Sequence, residues 1–261
     1  MKRPSRLSYA YAVGRVRALE KDLVEKAVFR EALEERDFAN ALKLIFDAGN
    51  FSEELIQIKD STELDAFLDK EKEEIDRLLS EILLDEDLMR IYRNDGSPDQ
   101  ALAIAERSRC PFVQDYVRHR IDLGNIKIFF RAKYLALSED RLEGLILRGG
   151  FVGEELFLKN YGLSLAEIGE KLQASPYREL WTRAADALGE RETFVELERS
   201  IEDFLMTYLK KAKYIVFGPE PVFAYGLAKK RELSLVRLIG IGKFNRIPDK
   251  LLKERMSETY V

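Results

Sequence analysis

The spacing of apolar residues predicts helix along almost the whole chain. In residues 8–46 and again in 61–93, apolar side chains recur every three or four positions, which is the period of one face of an α-helix. The opposite face of the second segment is rich in acids. Leu, Glu, Lys, Arg and Ala dominate, and β-branched runs with strict alternation are missing. The pattern therefore predicts an all-α protein.

Two apolar stripes define the first helices. Ser8 is a candidate N-cap, because its hydroxyl can accept a hydrogen bond from a free backbone amide in the first turn. We expect an amphipathic helix to begin there, with the stripe Tyr9, Val13, Val16, Leu19, Leu23 and Ala27. The second stripe comprises Leu64, Phe67, Leu68, Ile75, Leu78, Leu79, Ile82 and Leu83.

Three segments should interrupt the helices. "RNDGSPDQ" at 93–100 and "LRGGFVG" at 147–153 contain glycine, and the first also contains proline among Asn, Asp and Ser, a composition that favours turns. In the third, Ser175 before Pro176 is typical of an N-cap followed by proline in the first helical turn. Helices are therefore expected to end before each segment and to restart after it.

The chain contains an internal repeat with an offset of 110 positions. The segment that begins at Glu220 aligns without gaps with "CPFVQDYVRHRIDLGNIKIFFRAKYL", which begins at Cys110. The shared signature reads acid, leucine, two further residues, β-branched residue, base. The matched pairs are Pro111 and Pro221, Arg120 and Lys230, Asp122 and Glu232, Leu123 and Leu233, Ile126 and Val236, Lys127 and Arg237, and Lys133 and Lys243.

A second echo follows each copy. "FVGEELFLK" begins at Phe151 and "RIPDKLLKE" at Arg246, and in both an acid, Glu154 or Asp249, lies where it favours the positive end of a helix. We expect one unit of helix, turn, helix, loop and helix to be used at least twice. "GPEP" at 218–221 is then the entry to a repeated lobe, since Gly240 and Gly242 lack the Gly-Lys-Ser/Thr of a phosphate loop.

Composition narrows the classes of function. With 43 basic and 47 acidic residues the net charge is −4, so nothing indicates a nucleic-acid partner. The chain has one cysteine, Cys110, and one histidine, His119, which favours a reducing, cytoplasmic setting and predicts no metal cluster. No stretch approaches the roughly 18 apolar residues of a membrane-spanning helix, and the N-terminus lacks the apolar core of a signal peptide.

Three segments carry a resemblance to a known family. "YAYAVGRVRALE" at Tyr9, "DLGNIKIFFRAK" at Asp122 and "EPVFAYGLAKKRELSLVRLIGIGKFNRIP" at Glu220 resemble the C subunit of archaeal and bacterial V-type (A-type) ATP synthases. The eukaryotic relative of that protein is the d subunit of the V-ATPase. The chain is shorter than expected for the family, and no third copy of the signature is clear between Phe38 and Arg93.

The resemblance implies a fold and a role. It implies a funnel-like arrangement of helical lobes about a pseudo-threefold axis, with lobes at 1–68 (trimmed), 69–172 and 173–261. The protein would be a non-catalytic rotor subunit without a cofactor, peripheral to the cytoplasmic face of the membrane. As a socket it would couple the central-stalk subunits of the D and F types to the membrane proteolipid ring. The complex would transport protons or sodium ions, either driven by ATP hydrolysis or coupled to ATP synthesis. The implied signature and interface residues are Tyr9, Tyr11, Arg15, Arg17, Asp122, Asn125, Arg131, Glu220, Pro221, Tyr225, Glu232 and Arg237.

Structural roles compete with functional ones at several of these residues. Asp122 with Lys127, and Glu232 with Arg237, could contact a partner, but we favour acids that lie at a turn and cap the second helix. We expect solvated surface for His119, a buried or unreactive thiol for Cys110, and core packing for Phe129, Phe130 and Tyr134.

Two other classes of function stay open. The first is a helical adaptor or repeat protein that holds a partner helix on a concave face. The second is an enzyme that uses a desolvated carboxylate, such as Glu232, as an acid or base.

Overall fold

The computed structural model of the chain describes residues 4–93 and 98–261, apart from the side chains of 98 and 99. Every regular element in these residues is helical, which confirms the predicted all-α class. Residues 94–97 of the predicted turn at 93–100 lie outside the described residues. The α-helices are α1 (Ala10–Leu19), α2 (Lys26–Glu34), α3 (Phe38–Ala48), α4 (Ser61–Ile82), α5 (Glu86–Arg93), α6 (Pro98–Ser108), α7 (Pro111–Tyr134), α8 (Glu139–Glu143), α9 (Glu154–Leu158), α10 (Leu165–Lys171), α11 (Arg178–Arg191), α12 (Val195–Lys210), α13 (Glu220–Phe244) and α14 (Asp249–Arg255).

The first predicted helix is broken. A 3₁₀ helix, Arg6–Tyr9, precedes α1, and Ser5 rather than Ser8 accepts the capping hydrogen bond, from the Ser8 amide. The chain then leaves the helical conformation at Leu23, whose backbone is extended, and α2 begins only at Lys26. The physical reason for this break is a buried carboxylate on α13 that binds the backbone amide of Val24.

The second predicted stripe is confirmed for most of its length. In α4, the stripe residues from Leu64 to Ile82 are buried except for Leu78, which is half-buried. Asp60 caps this helix by accepting hydrogen bonds from the amides of Thr62 and Glu63 at 2.8 and 2.9 Å. The helix ends at Ile82, and the chain continues through a short non-helical segment into α5.

The chain forms two compact units, which differ in extent from the three expected lobes. One unit, called unit 1, comprises Met1–Arg93 and Met206–Val261, and unit 2 comprises Asn94–Leu205. Unit 1 therefore contains both ends of the sequence. The division into three lobes about a threefold axis stays a prediction.

The core of unit 1 is built around α13. This helix contacts each of α1, α2, α3, α4 and α5, and buried residues occur on all its sides. A helix that is buried on all sides has apolar residues on all its faces rather than on one face. The sequence of α13 has this pattern. Gly226 allows side chains of α4 and α5 to lie close to the backbone of α13. A Cβ at this position would lie 2.2 Å from Leu79 Cδ1 and 2.8 Å from a ring carbon of Tyr92.

The core of unit 2 is aromatic and packs against α7. The ring of Trp181, which is fully buried, lies with its centroid 4.7 Å from that of Phe130 and 5.7 Å from that of Phe129. Phe157 of α9 packs on Phe129 at 5.7 Å. Core packing is thus confirmed for Phe129 and Phe130, whereas Tyr134 at the end of the helix is half exposed. Pairs of rings in these arrangements stabilise a core beyond the area that they bury.

The two repeat copies are single continuous helices, α7 and α13. The expected helix, turn and helix within each copy is therefore wrong. Both helices end in the same way. Just after each helix a residue adopts a positive φ angle, 49° at Ala136 and 54° at Arg246, and these two residues are 110 positions apart. The following amides, of Leu137 and Ile247, donate to carbonyls five residues back, as in a Schellman ending.

The 110-residue offset continues beyond these ends. Helix α8 begins at Glu139 and α14 at Asp249, and each buries one equivalent leucine, Leu142 or Leu252. The structural counterpart of α14 is therefore α8, and the predicted match between the segments at Phe151 and Arg246 is wrong. Those two segments share only the general composition of a helix start.

Two helical glycines test how tightly α13 is packed. Gly226→Ala should lower the free energy of unfolding by about 1–3 kcal/mol, because the added methyl group overpacks against Leu79 and Tyr92. Gly14→Ala in α1 should raise it by about 0.5–1 kcal/mol, because nothing lies within 4 Å of the added carbon and alanine favours helix. Urea denaturation measures both changes. Equal effects of the two substitutions would contradict the close approach at Gly226.

Candidate functional site

A fully buried carboxylate on α7 organises one side of unit 2. Asp122 accepts hydrogen bonds from the backbone amides of Phe151 and Val152, at 2.9 and 3.0 Å. These amides lie just before α9, which begins at Glu154. The acid therefore binds the backbone just before a helix, and it does so from the middle of another helix rather than as a cap at the turn that we expected.

The loop before α9 is shaped around this carboxylate. A Cβ at Gly150 would lie only 2.0 Å from Asp122 Oδ1, so the backbone can approach the acid only because this residue is glycine. Asn125, one turn further along α7, exchanges two hydrogen bonds of 2.8 Å with the amide and carbonyl of Leu147. The predicted break at 147–153 is thus a loop held at two points by α7.

A tyrosine and the only histidine extend this network. The Tyr177 hydroxyl donates to Asp122 at 2.8 Å, and His119 Nδ1 lies 2.6 Å from the same hydroxyl. Since that hydroxyl has one proton, the imidazole is the donor to its oxygen. The ring of His119 also packs against Phe151 and Phe204, with centroids 4.8 and 5.0 Å apart. The expectation of a solvated His119 is therefore wrong.

Burial alters the acidity of this network. Burial raises the pKa of the Asp122 carboxyl, while the hydrogen bonds from Tyr177, Val152 and Phe151 act in the opposite direction. Burial also raises the pKa of the Tyr177 hydroxyl, and the negative charge of Asp122 is the second cause of this rise. The hydroxyl therefore stays protonated and remains a donor. The network binds backbone amides, which is the chemistry of a structural anchor.

The equivalent acid of unit 1 makes an equivalent contact. Glu232 on α13 accepts a hydrogen bond of 2.7 Å from the amide of Val24, two residues before α2 begins. Val152 likewise lies two residues before α9. The two acids thus bind backbone at corresponding places, although their partner segments are unrelated in sequence.

Glu232 also belongs to a buried cluster of charges. The Lys229 ammonium forms an ion pair with it, and both side chains are less than 9% exposed. Lys229 Nζ lies 4.7 Å from the centroid of the Phe51 ring. Burial raises the pKa of the neighbouring Glu71, and the charge of Lys229 opposes this shift. Such a cluster is stable only because each charge has a partner.

Each central helix also carries a lysine near its C-terminal end. This lysine binds the backbone just after the same helix, α9 or α2, whose preceding amide is bound by the acid. Lys133 donates to the carbonyl of Tyr161, which follows α9, and Lys243 donates to the carbonyl of Glu35, which follows α2, at 2.6 Å. Each lysine comes eleven residues after its acid, or about 16 Å along the helix axis. We call these pairs, Asp122 with Lys133 and Glu232 with Lys243, the helix brackets.

The GPEP turn is held by an ion pair to the start of the chain. Glu220, 3% exposed, accepts hydrogen bonds from Arg6 at 2.6 and 3.1 Å. Gly218 has a φ of 124°, and a Cβ there would lie 2.2 Å from Glu220 Oε2 and 2.7 Å from Arg6 Nη2. The glycine therefore makes room for a structural ion pair at the start of α13, and the assignment of this turn as a lobe entry stays a prediction.

The residues implied by the resemblance divide by exposure. Most of these residues have buried side chains, so a partner could not contact them in the folded protein. Those with exposed side chains are Tyr11, Arg15, Arg131 and Arg237, and Arg17 is half-buried. The buried ones are Tyr9, Asp122, Asn125, Glu220, Pro221, Tyr225 and Glu232.

The acid and base of each repeat copy do not pair with each other. Lys127 binds Glu198 of α12 at 2.7 Å, and Arg237 lies 3.1 Å from Asp65 of α4. Residues five apart on a helix point in different directions, so the bases reach neighbouring helices while the acids point into the core. These contacts favour the structural interpretation of the acids over direct partner contact.

Sequence reasoning missed several members of the network. Tyr177, Gly150 and Arg6 are far in sequence from the acids that they contact, so no local pattern indicated them. Lys133 and Lys243 were visible as a matched pair, and their equal spacing from the two acids was the signal for the brackets.

The described residues give no sign of a metal or membrane-spanning element. Within 4–93 and 98–261, no three His, Cys, Asp or Glu side chains are grouped so that they could hold a metal ion. In the same residues, no helix combines the length and apolar character needed to cross a bilayer. Cys110 is buried, in agreement with the expected burial of its thiol.

The sequence matches a known family over nearly all of unit 2 and the C-terminal part of unit 1. A family model described as "ATP synthase (C/AC39) subunit" matches residues 99–255, which include helices α7 and α13 and both helix brackets' central residues. This range is more than half of the 261 residues.

Curated relatives carry consistent names. The chain is 30% identical over 140 residues to the C subunit of the V-type sodium ATPase of Enterococcus hirae, which is 54% of this chain and 42% of that protein. It is 25% identical over 228 residues to the C subunit of the A-type ATP synthase of Halobacterium salinarum, covering 87% and 62%. With the corresponding A-type protein of Archaeoglobus fulgidus it shares 25% identity over 142 residues, 54% and 40%. The chain thus spans about half the length of the curated relatives it matches.

Replacing the buried carboxylate of unit 2 tests its role as an anchor. Asp122→Asn should lower the free energy of unfolding by about 1–3 kcal/mol, because the amide NH₂ faces donors and leaves one of them unpaired. Asp115→Asn, on the same helix and half-buried, is the control and should change it little. Urea denaturation measures both.

The pH dependence of this difference provides a second test. Because the pKa of Asp122 is raised in the folded state, folding takes up protons between the unfolded and the folded pKa. The stability of the wild type relative to Asp122→Asn should therefore fall as pH rises through that range and stay constant above it. A relative stability that rises over this range would show that the hydrogen bonds outweigh burial.

Breaking the charge cluster of unit 1 tests the second anchor. Glu232→Gln should cost about 3–5 kcal/mol, because it leaves the buried Lys229 ammonium without its carboxylate. The double variant Glu232→Gln with Lys229→Met should recover much of this loss. Urea denaturation of the two single variants and the double variant measures the coupling. Additive costs would mean that the two side chains act independently.

Proposed function

Because the chain belongs to the ATP synthase (C/AC39) subunit family, we propose that it is a non-catalytic rotor subunit of a V/A-type ATPase or ATP synthase. In this role it is a socket that couples the central-stalk subunits of the D and F types to the membrane proteolipid ring. It acts at the cytoplasmic face, peripheral to the membrane, and the complex moves protons or sodium ions. The family match over residues 99–255 is the observation that carries the proposal.

The packing of the units supports a mechanical role. A protein that transmits torque must resist deformation, and close-packed interiors resist it because they have low compressibility. In each unit, a bracket joins the central helix to both ends of a second helix. The buried acids therefore hold the shape of the part, and ATP chemistry belongs to other subunits.

The exposed signature residues mark where partners dock. Arg131 and Arg237 lie on the two central helices and are exposed, with their side chains 50% and 62% accessible. Their ion pairs with Glu198 and Asp65 are of the surface type, which contributes little to stability. These cations are therefore available to an acidic surface of a neighbouring subunit.

Recovery of the complex tests the coupling role. A tagged chain pulled from its native membranes in mild detergent should bring the catalytic, stalk and proteolipid subunits in stoichiometric yield, as identified by mass spectrometry. Recovery of a soluble monomer would instead favour a helical adaptor and overturn the proposal.

Charge reversal at the exposed arginines tests the docking residues. Arg131→Glu with Arg237→Glu should reduce the yield of co-purified subunits several-fold, because each reversed charge repels an acidic partner. Arg183→Glu, whose side chain is 54% accessible on α11, is the matched control and should leave the yield unchanged. Thermal unfolding should be nearly the same for all variants, and a yield unaffected by the double reversal would remove these residues from the interface.

A further inference from the structure

The segment between α12 and α13 has an unusual surface. Tyr214, Val216 and Phe217 are 88%, 68% and 46% exposed, although all three are large apolar side chains. Lys211 and Lys213 precede them and are also exposed. We call this segment, residues 211–217, the exposed loop.

The backbone of the exposed loop is fixed, so the exposure is not a matter of a loose chain. Arg17 donates to the carbonyls of Ala212, Lys213 and Ile215, at 2.8, 3.0 and 3.1 Å. Arg6 donates to the carbonyl of Phe217 at 2.6 Å. The two arginines hold the main chain against the start of the molecule, while the apolar side chains face outward.

The charge of the exposed loop is positive and largely uncompensated. Lys211 and Lys213 lie over the rings of Tyr208 and Tyr260, at 4.8 and 4.9 Å, and form no ion pair with a described carboxylate. The nearby Glu20 is engaged by Arg17 at 2.6 Å. Lysines at the end of α12 are favourable to its helix dipole, but that role does not explain the apolar side chains beside them.

We propose that the exposed loop binds the surface of a lipid bilayer that contains anionic headgroups. Tyrosine and phenylalanine beside lysine is the composition that lies at a membrane interface, with the rings at headgroup level and the ammonium groups on phosphates. Tyr214 has almost no protein contact, so it extends from the molecule rather than lining a groove for a partner helix. This contact goes beyond the coupling role, since it requires no other subunit.

Insertion is measured with tryptophan placed in the loop. The chain has one tryptophan, Trp181, which is fully buried and contributes a constant background. Tyr214→Trp should show a blue shift of emission with vesicles of equal parts phosphatidylcholine and phosphatidylglycerol, and little shift with phosphatidylcholine alone. Leu251→Trp is the control, since it is exposed and follows the far end of α13, about 36 Å along that helix.

Charge variants measure the electrostatic part. In the Tyr214→Trp background, Lys211→Gln with Lys213→Gln should weaken binding to the anionic vesicles by about thirtyfold. The matched control is Lys250→Gln with Lys253→Gln in α14, which should leave the affinity nearly unchanged. Added salt should weaken the wild-type contact, because it screens exposed charges.

Three results would overturn the lipid contact. They are the absence of a shift for Tyr214→Trp with anionic vesicles, an equal shift for Leu251→Trp, and binding to native membranes that is lost when their proteins are removed. The last result would indicate an acidic protein as the occupant. Because purified vesicles contain no ATPase proteins, a failure here leaves the coupling role intact, and a failed pull-down leaves the lipid contact intact.

Discussion

A carboxylate in the middle of a helix has no free amide in its own helix to bind, because those amides already donate to the preceding turn. When the carboxylate is buried, it must find donors elsewhere, since an unpaired buried charge is costly. Asp122 and Glu232 solve this problem in the same way, with free amides just before another helix. The helix that follows those amides therefore begins where the acid allows it to begin, and the rest of each unit is arranged around that point.

The same contact is made with different chain connections. Helix α9 follows α7 with only the short helix α8 between them, whereas α2 precedes α13 by most of the chain. Lys133 and Lys243 complete the equivalence at the other end of each bracketed helix. The repeat thus comprises a central helix and its contacts with a second helix. That second helix can lie before or after the central helix in the sequence.

This arrangement explains how far the sequence could predict the structure. The helical period was enough for the all-α class, and the 110-residue offset was enough to align α7 with α13. The second echo, however, matched the segment before α14 with the one before α9 instead of with α8. The bracketed helices could not be aligned, because the acids bind backbone amides, which every residue except proline has. A polar side chain inside an apolar helix resembled a turn, which led to the wrong division of both central helices.

The candidate site was predicted in part for the same reason. A structural role for Asp122 and Glu232 followed from their position beside bases that could not face them. The Tyr177 hydroxyl and its contact with His119 join residues 58 apart, and no local pattern could indicate such a contact. Isolated imidazoles are usually solvated, and the aromatic packing and the Tyr177 hydroxyl explain why this one is half-buried in unit 2.

The burial of most signature residues has a consequence for how such a protein works. A charge that is buried and paired adds little stability compared with an apolar replacement, but it permits only the geometry in which all its partners are present. Tyr225 shows the same constraint, because burial and then the charge of Glu232 raise the pKa of its hydroxyl and keep it protonated. A part that transmits torque needs a defined shape more than it needs extra stability. In the role that we propose, the buried acids fix this shape, and the exposed cations at the surface are the candidates for contact with a partner.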